Sequence, residues 1–370
     1  MTLGWAHHRD EDLQTAAAVS DEFTDTNPEF AESIVESHAM FHRFLDLPPV
    51  TNENLFSGNL APIIEAEREA LTSVTLARMG LYKQALTSLR SALELGLLAV
   101  YWDADDQSHV DIQDWWRGSE RTPQNRKVEE RLQAIPGVAS YLAHDPDFFA
   151  RVRALGDSLG GYVHTRGGRY STSGLVPITN LPVFSADALQ LWADRLVEVA
   201  QAVLAVHLMK YPVGLQVTPL SEKFGLNPPA GGFVEPWVRD RFRAFLPETV
   251  RDALQNVSDN DADALERVAW VNKHADISEE EYGEQIQRQD RELIEHGGFE
   301  NCARVRDSVD DAAKAHSTTE EIQRRLMYRL QLQAWAEDEH MLTQEDAIAT
   351  MQRKLGFEGR QASWSSSAQL

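Results

Sequence analysis

GLYKQALTSLRSALELGLLAVYW, residues 80–102, sets Leu86, Leu89, Leu93, Leu97 and Val100 at three- and four-residue steps. That spacing predicts a helix with one buried face. Gly80 permits a bend just before it. Upstream, Ile63 to Met79 repeats the step behind Pro62, which suits a first helical turn because its missing N–H costs nothing there. Downstream, Ser185 is a plausible N-cap for a third helix that stops before Pro212. Leu189, Trp192, Leu196, Val199, Val203 and Val206 form its stripe. No stretch alternates with a β-branched bias. The reading is an all-α chain: a central helical bundle with a second helical C-terminal module.

Glu94 is the only charge in the twelve-residue window SALELGLLAVYW. A buried carboxylate is costly unless paired, and Arg90 lies one turn earlier on the same face. Glu94 is therefore expected at least half buried and bonded to Arg90. The pair either fixes helix register or floors a polar site inside the bundle.

Charge divides the rest of the chain. Residues 1–56 hold 11 acids and two bases, residues 57–255 hold 23 acids and 20 bases, and residues 256–346 hold 23 acids and 10 bases. The first block reads as an acidic N-terminal helical arm (1–56) and the second as the central bundle (57–215). A Pro/Gly-rich linker (216–236) follows, because adjacent prolines lack donors and force extended geometry. An acidic helical C-terminal module (237–358) and a disordered Ser/Gln tail (359–370) complete the expected order. Ser258 is read as an N-cap. Ser278 with Glu281 and Ser317 with Glu320 are read as capping boxes, and Gly297-Gly298 and Gly356 as helix ends.

The 370 residues carry 35 basic and 58 acidic side chains, a net charge of −23. That balance argues against coating a nucleic acid, since such binding neutralises phosphates. A single cysteine, Cys302, excludes a disulfide framework and a cysteine zinc site. The longest charge-free apolar run, Leu95 to Trp102, is far below the ~20 residues that cross a bilayer. The acidic N-terminus has no apolar signal core. A cytoplasmic protein off the membrane is expected.

A second constellation is GDSLGGYVHTRGGRYSTSG, residues 156–174. Its glycines allow close backbone approach, and His164, Arg166, Arg169 and Tyr170 could hold a phosphate or carboxylate. Residues 117–169 carry nine bases against six acids, the one locally positive stretch and the place where contact with RNA or a nucleotide is expected. Set against that is a plain polar interhelical loop. His38 and His42, four apart, lack an evident third ligand, and His7-His8 sits near the start of the chain; no metal is expected. Asp103, Asp105 and Asp106 read as a solvated exit loop without a calcium pattern. Trp102, Trp115 and Trp116 read as packed together in a satellite core, with an aromatic ligand wall as the alternative. No P-loop, dinucleotide fingerprint, nucleophile elbow or zinc-protease motif occurs, so no cofactor is expected.

Two resemblances follow. Gly80, Tyr82, Ala85, Ala92, Leu93, Glu94 and Leu95 resemble the second helix of a tetratricopeptide repeat, present in one copy, which makes it a hairpin and not a solenoid. The LRSALE helix followed by a Tyr-Val-His stretch resembles the HEPN-like helical bundles over residues 57–211. That resemblance implies a ribonuclease or nucleotide-binding effector of bacterial defence or toxin-type systems. His164 would be the general base, Arg166 and Arg169 would hold phosphate, and Arg90 and Glu94 would order the site. In that family the arginine comes shortly before the histidine; here Arg166 follows His164, and the arginine upstream is Arg153. Two functions are thus expected: a non-catalytic interaction or regulatory protein with a protein partner or self-association, or a metal-independent HEPN-like RNase.

Overall fold

The computed structural model describes residues 10–48, 60–104, 108–119, 121–176, 182–229, 232–314 and 318–354. Among these the chain is eighteen α-helices with no strand, as the periodicity required. The N-terminal helices are α1 (Asp10–Thr26) and α2 (Pro28–Arg43). The hairpin is α3 (Leu60–Arg78) and α4 (Tyr82–Trp102). Next come α5 (Ser108–Trp116), α6 (Asn125–Gln133), α7 (Pro136–Leu142), α8 (Phe148–Val163) and the single turn α9 (Thr172–Leu175). The long α10 (Ala186–Lys210) is followed by α11 (Leu220–Phe224), α12 (Pro236–Phe245), α13 (Glu248–Asn260) and α14 (Ala262–Asn272). The remainder is α15 (Glu279–Gly297), α16 (Phe299–Lys314), α17 (Thr319–Asp338) and α18 (Gln344–Lys354).

The chain divides into two compact units. In the first, α3 and α4 form the expected hairpin. Gly80 turns it at φ +74°, and the Val183 backbone lies so close that a Cβ there would come within 2.7 Å of the Val183 carbonyl oxygen. Ala66, Ala70, Ser73 and Ala77 give α3 a fully buried small-residue seam that lets α4 approach closely. Helix α10 lies at the centre, touching α2, α3, α4, α7, α8 and α13. Gly96 of α4 admits Val203; a Cβ on it would sit 2.6 Å from the valine side chain. The one hydroxyl this seam buries is satisfied twice, for Ser73 Oγ donates to the Ala85 carbonyl (2.9 Å) and accepts from Trp192 Nε1 (2.6 Å).

How the acidic N-terminal arm packs is open in the sequence; in the structure it is part of the core, with Met40, Phe41, Phe44 and Leu47 fully buried. Two expectations need correction in this unit. The segment 216–236 does not divide the chain, because Leu220 and Val234 are buried and α12 to α14 belong to the first unit, contributing Val238, Phe242, Leu254 and Val257 to its core. The second unit instead comprises 224–228 and residues from 276 onward. Pro and Gly density reports absence of regular helix, not absence of packing. Asp103 is buried and accepts from the Tyr211 hydroxyl, tying the end of α4 to the end of α10. The exit loop is thus anchored at that residue; Asp105 and Asp106 lie outside the described residues, as do His7, His8, Gly356 and the tail 359–370. Trp102, Trp115 and Trp116 run as a contiguous aromatic row, with centroids 6.3 and 6.1 Å apart, but only Trp102 is core, and Trp116 is exposed.

The second unit is built from α15 to α18 around Ile294, Cys302, Leu332, Ala336 and Met341. Among the described residues its one buried carboxylate, Asp290, is matched by Arg306 Nε (2.8 Å) and the Tyr328 hydroxyl (2.9 Å). Burial pushes the Cys302 thiol up, with Asp290 adding to it, so the cysteine is a core residue and not a reactive one. The Ser278–Glu281 capping box forms as expected. The next box forms one residue later than expected, at Thr318 and Glu321; Ser317 lies outside the described residues. Ser258 is no N-cap but makes a buried bond from the last turn of α13 to the Pro212 carbonyl (2.6 Å), and Asp261 caps α14 instead. Gly298 ends α15 at φ +77°.

His207, fully buried in α10 and stacked on Phe44, donates from Nδ1 to the Val203 carbonyl and leaves Nε2 without a partner. Burial lowers its pKa to about 4. The native state therefore resists a proton that the unfolded chain takes up below ~6.5. Stability should fall through the window from pH 6.5 to 4 by up to about 3 kcal/mol from this group alone. Urea titrations at pH 7 and pH 5 will show it: His207→Leu should lose distinctly less stability across that step than the parent protein.

Candidate functional site

Arg90 and Glu94 meet as expected. Arg90 Nε and Nη2 both lie 3.0 Å from Glu94 Oε1. Glu94 is more than half buried, as expected, with its side chain 39% exposed, and Arg90 lies deeper at 23%. A helix facing a cleft, not a closed core, leaves room for the carboxylate to reach water.

That cleft, about 220 Å³, lies between α4, α6 and α8. Its floor is apolar, formed by Leu93, Leu97, Leu98, Leu132, Phe149 and Val152. Leu97, expected in the core stripe, is half-buried here because the stripe passes beneath the cleft. The rim is charged. Besides Arg90 and Glu94 it holds an ion pair between Arg153 of α8 and Glu129 of α6, and Asp157, which has no ion-pair partner among the described residues. Sequence reasoning missed Leu97, Glu129, Arg153 and Asp157 as neighbours, since they come from three helices and no spacing links them.

The other predicted site residues do not join this cleft. His164 caps the C-terminus of α8, is exposed, and makes no side-chain hydrogen bond among the described residues. Arg166 and Arg169 are exposed on the following turn. Arg169 stacks over the Tyr170 ring at 4.5 Å and donates to its hydroxyl (2.7 Å). Two of the glycines in α8 serve packing. Gly160 makes room for the Arg90 guanidinium, which a Cβ would approach to 2.5 Å, and Gly161 makes room for the Tyr170 ring. Only Gly167, at φ +88°, is glycine for conformational reasons.

The turn closing α8 carries strain. Arg166 N–H bonds back to the Gly161 carbonyl (3.0 Å), the long bond of a Schellman ending, which places Thr165 in the left-handed position at φ +46°. A β-branched residue there is unfavourable. Lys83 Nζ holds it from outside, donating to Thr165 Oγ1 at 2.8 Å.

His38 and His42 do not gather a metal site. His42 Nδ1 pairs with Glu67 (3.2 Å), His38 Nε2 is buried and unpartnered, and no group of three or more potential ligands occurs among the described residues. No helix among those residues is long and apolar enough to cross a membrane. Comparison with protein-family models, curated proteins and solved structures finds no match.

Two substitutions separate conformation from packing at the end of α8. Thr165→Gly should raise unfolding stability by roughly 0.5–1 kcal/mol by relieving the left-handed residue. Gly161→Ala should lower it by about 1–3 kcal/mol by driving a methyl into the Tyr170 ring. Urea unfolding of the two variants beside the parent measures both, and equal shifts would contradict this assignment.

Proposed function

We propose that this chain is a non-catalytic helical interaction protein whose first unit receives one large apolar side chain of a protein partner in the cleft between α4, α6 and α8. The observation that carries the reading is the cleft itself: an apolar floor sized for a single bulky side chain, ringed by charge. Such a hollow rimmed by polar groups is the form in which binding energy concentrates on one anchor. Glu94 and Glu129 are answered by Arg90 and Arg153, leaving Asp157 as the unanswered charge at the rim. The favoured anchor therefore has a lysine or arginine beside it in sequence. The chain's net charge of −23 acts in the same direction, drawing in a basic partner. The HEPN-like alternative rests on His164 and its neighbouring arginines as a metal-independent RNase.

Selection of displayed random peptides on the intact protein tests the choice. Enriched peptides should share one large apolar or aromatic residue with a base within a few positions. Their affinity should drop at least tenfold on Leu97→Lys, a half-buried position that tolerates charge. Peptides that bind this variant equally well would remove the cleft from the argument. RNA cleavage by the parent protein that His164→Ala abolishes, with the melting temperature unchanged, would replace the reading with the ribonuclease one.

A further inference from the structure

Helix α17 packs into the second unit with one side only. Leu332 and Ala336 are buried, and Tyr328 and Trp335 are partly buried against the same core. The opposite side is where an amphipathic surface helix carries its charge. Here it carries Ile322, Leu326, Leu330 and Ala334, each four residues from the last. They form an unbroken apolar ridge of about 18 Å, the kind that packs into the groove of another helix. Met327 stands beside the ridge, and only Thr319, Gln323 and Gln331 add polarity to that side. Ile322, Leu326, Met327 and Leu330 are between 39% and 61% exposed. Single exposed apolar side chains are ordinary, but a contiguous row of them marks a contact surface.

Charge beside the ridge runs against that of the unit. Residues 276–354 carry 19 acids and 10 bases, yet 322–336 hold three arginines and no acid. Arg324 lies one turn before Met327 and Arg325 one turn after Ile322, so the two flank the ridge on its two sides. Both are exposed. Arg329 is engaged by Asp307 (2.8 Å) and the Ala303 carbonyl (3.1 Å). Glu321, the acid nearest in sequence, is turned back to its cap, where it accepts from the Thr318 N–H (2.7 Å) and hydroxyl (2.9 Å).

We propose that this face of α17 docks an acidic amphipathic helix of a protein partner. The apolar stripe of that helix lies against Ile322, Leu326, Met327 and Leu330, and its Asp or Glu side chains meet Arg324 and Arg325. Two other occupants fit less well. A second copy of α17, in either direction, brings the same three arginines and no acid to the middle of the contact. An anionic lipid surface meets Glu320 and Glu321 at one end and Glu337 and Asp338 at the other, on a chain of net charge −23. The face shares no residue with the cleft and stands independently of the reading given to it.

Selection on the full chain from displayed helices of about 20 residues tests it, with leucines fixed at helical spacing and the flanking positions randomised. Helices retained by the parent protein and lost on Leu326→Glu should hold Asp or Glu at those flanks. Their peptides should bind at least tenfold more weakly to Leu326→Glu and to Leu330→Glu, whose exposed positions leave the melting temperature unchanged. Arg324→Glu with Arg325→Glu should weaken them several-fold, as should raised salt, and Leu97→Lys in the cleft should not affect them. Flanks rich in Lys or Arg, flanks without preference, or no helix that distinguishes the parent from Leu326→Glu would overturn the proposal. A dimer in sedimentation that Leu326→Glu returns to monomer would give the face to a second copy and overturn it too. Co-sedimentation with phosphatidylserine vesicles, lost in the same variant, would give it to a lipid surface with the same consequence.

Discussion

How near α10 can come to its neighbours governs the first unit. The distance is set where side chains are missing: Gly96 under Val203, Gly137 under the Met209 carbonyl, and the Ala66–Ala70–Ser73–Ala77 seam behind α4. Interiors pack to crystal-like density, so a single added methyl at such a contact must displace a helix backbone. Close approach also explains why a serine is tolerated in the seam. With α3, α4 and α10 this tight, one hydroxyl can bridge Trp192 to the Ala85 carbonyl and leave nothing unsatisfied.

Much of this was legible in the sequence, and for definite reasons. Leu86, Leu89, Leu93 and Val100 are buried because a 3.6-residue period has one outcome when the helix has one core. Gly80 at its turn, the Arg90–Glu94 pair and the Ser278–Glu281 box are all local, separated by a turn or less, so spacing alone reaches them. What stayed hidden depends on contacts far apart in the chain. Asp103 resembles a solvated aspartate until Tyr211, over a hundred residues later, bonds to it. The Pro/Gly-dense 216–236 resembles a linker until α12 and α13 pack back over the core. Gly160-Gly161 resembles a phosphate cradle because composition does not say which side chain occupies the space a glycine leaves; here Arg90 and Tyr170 occupy it.

Charge follows the same division between local and distant. The net charge of −23 is visible in the composition, but which arginines are committed is not. Arg78 is locked to Asp21 in a two-pronged bond at 2.6 Å, Arg241 to Glu36, and Arg151 to Asp145. These pairs are largely exposed and individually worth little, yet each commits an arginine that composition alone counts as free.

Helix α8 forms one wall of the cleft and one wall of a second hollow that it shares with α10, with Val152 facing each. Empty apolar space is costly, and a helix flanked by it should collapse toward one side. Arg90 prevents this on the α4 side. Its guanidinium rests against the α8 backbone at Gly160 and is held there by Glu94, which sits at the cleft mouth where its own desolvation is small. On the other side the Tyr170 ring against Gly161 fills the last turn of α8 and stops it sliding. The lone acid in an apolar helix is thus neither a simple register pin nor an established catalytic group. It fixes the arginine that props α8 away from α4, and the cleft is the space that prop keeps open.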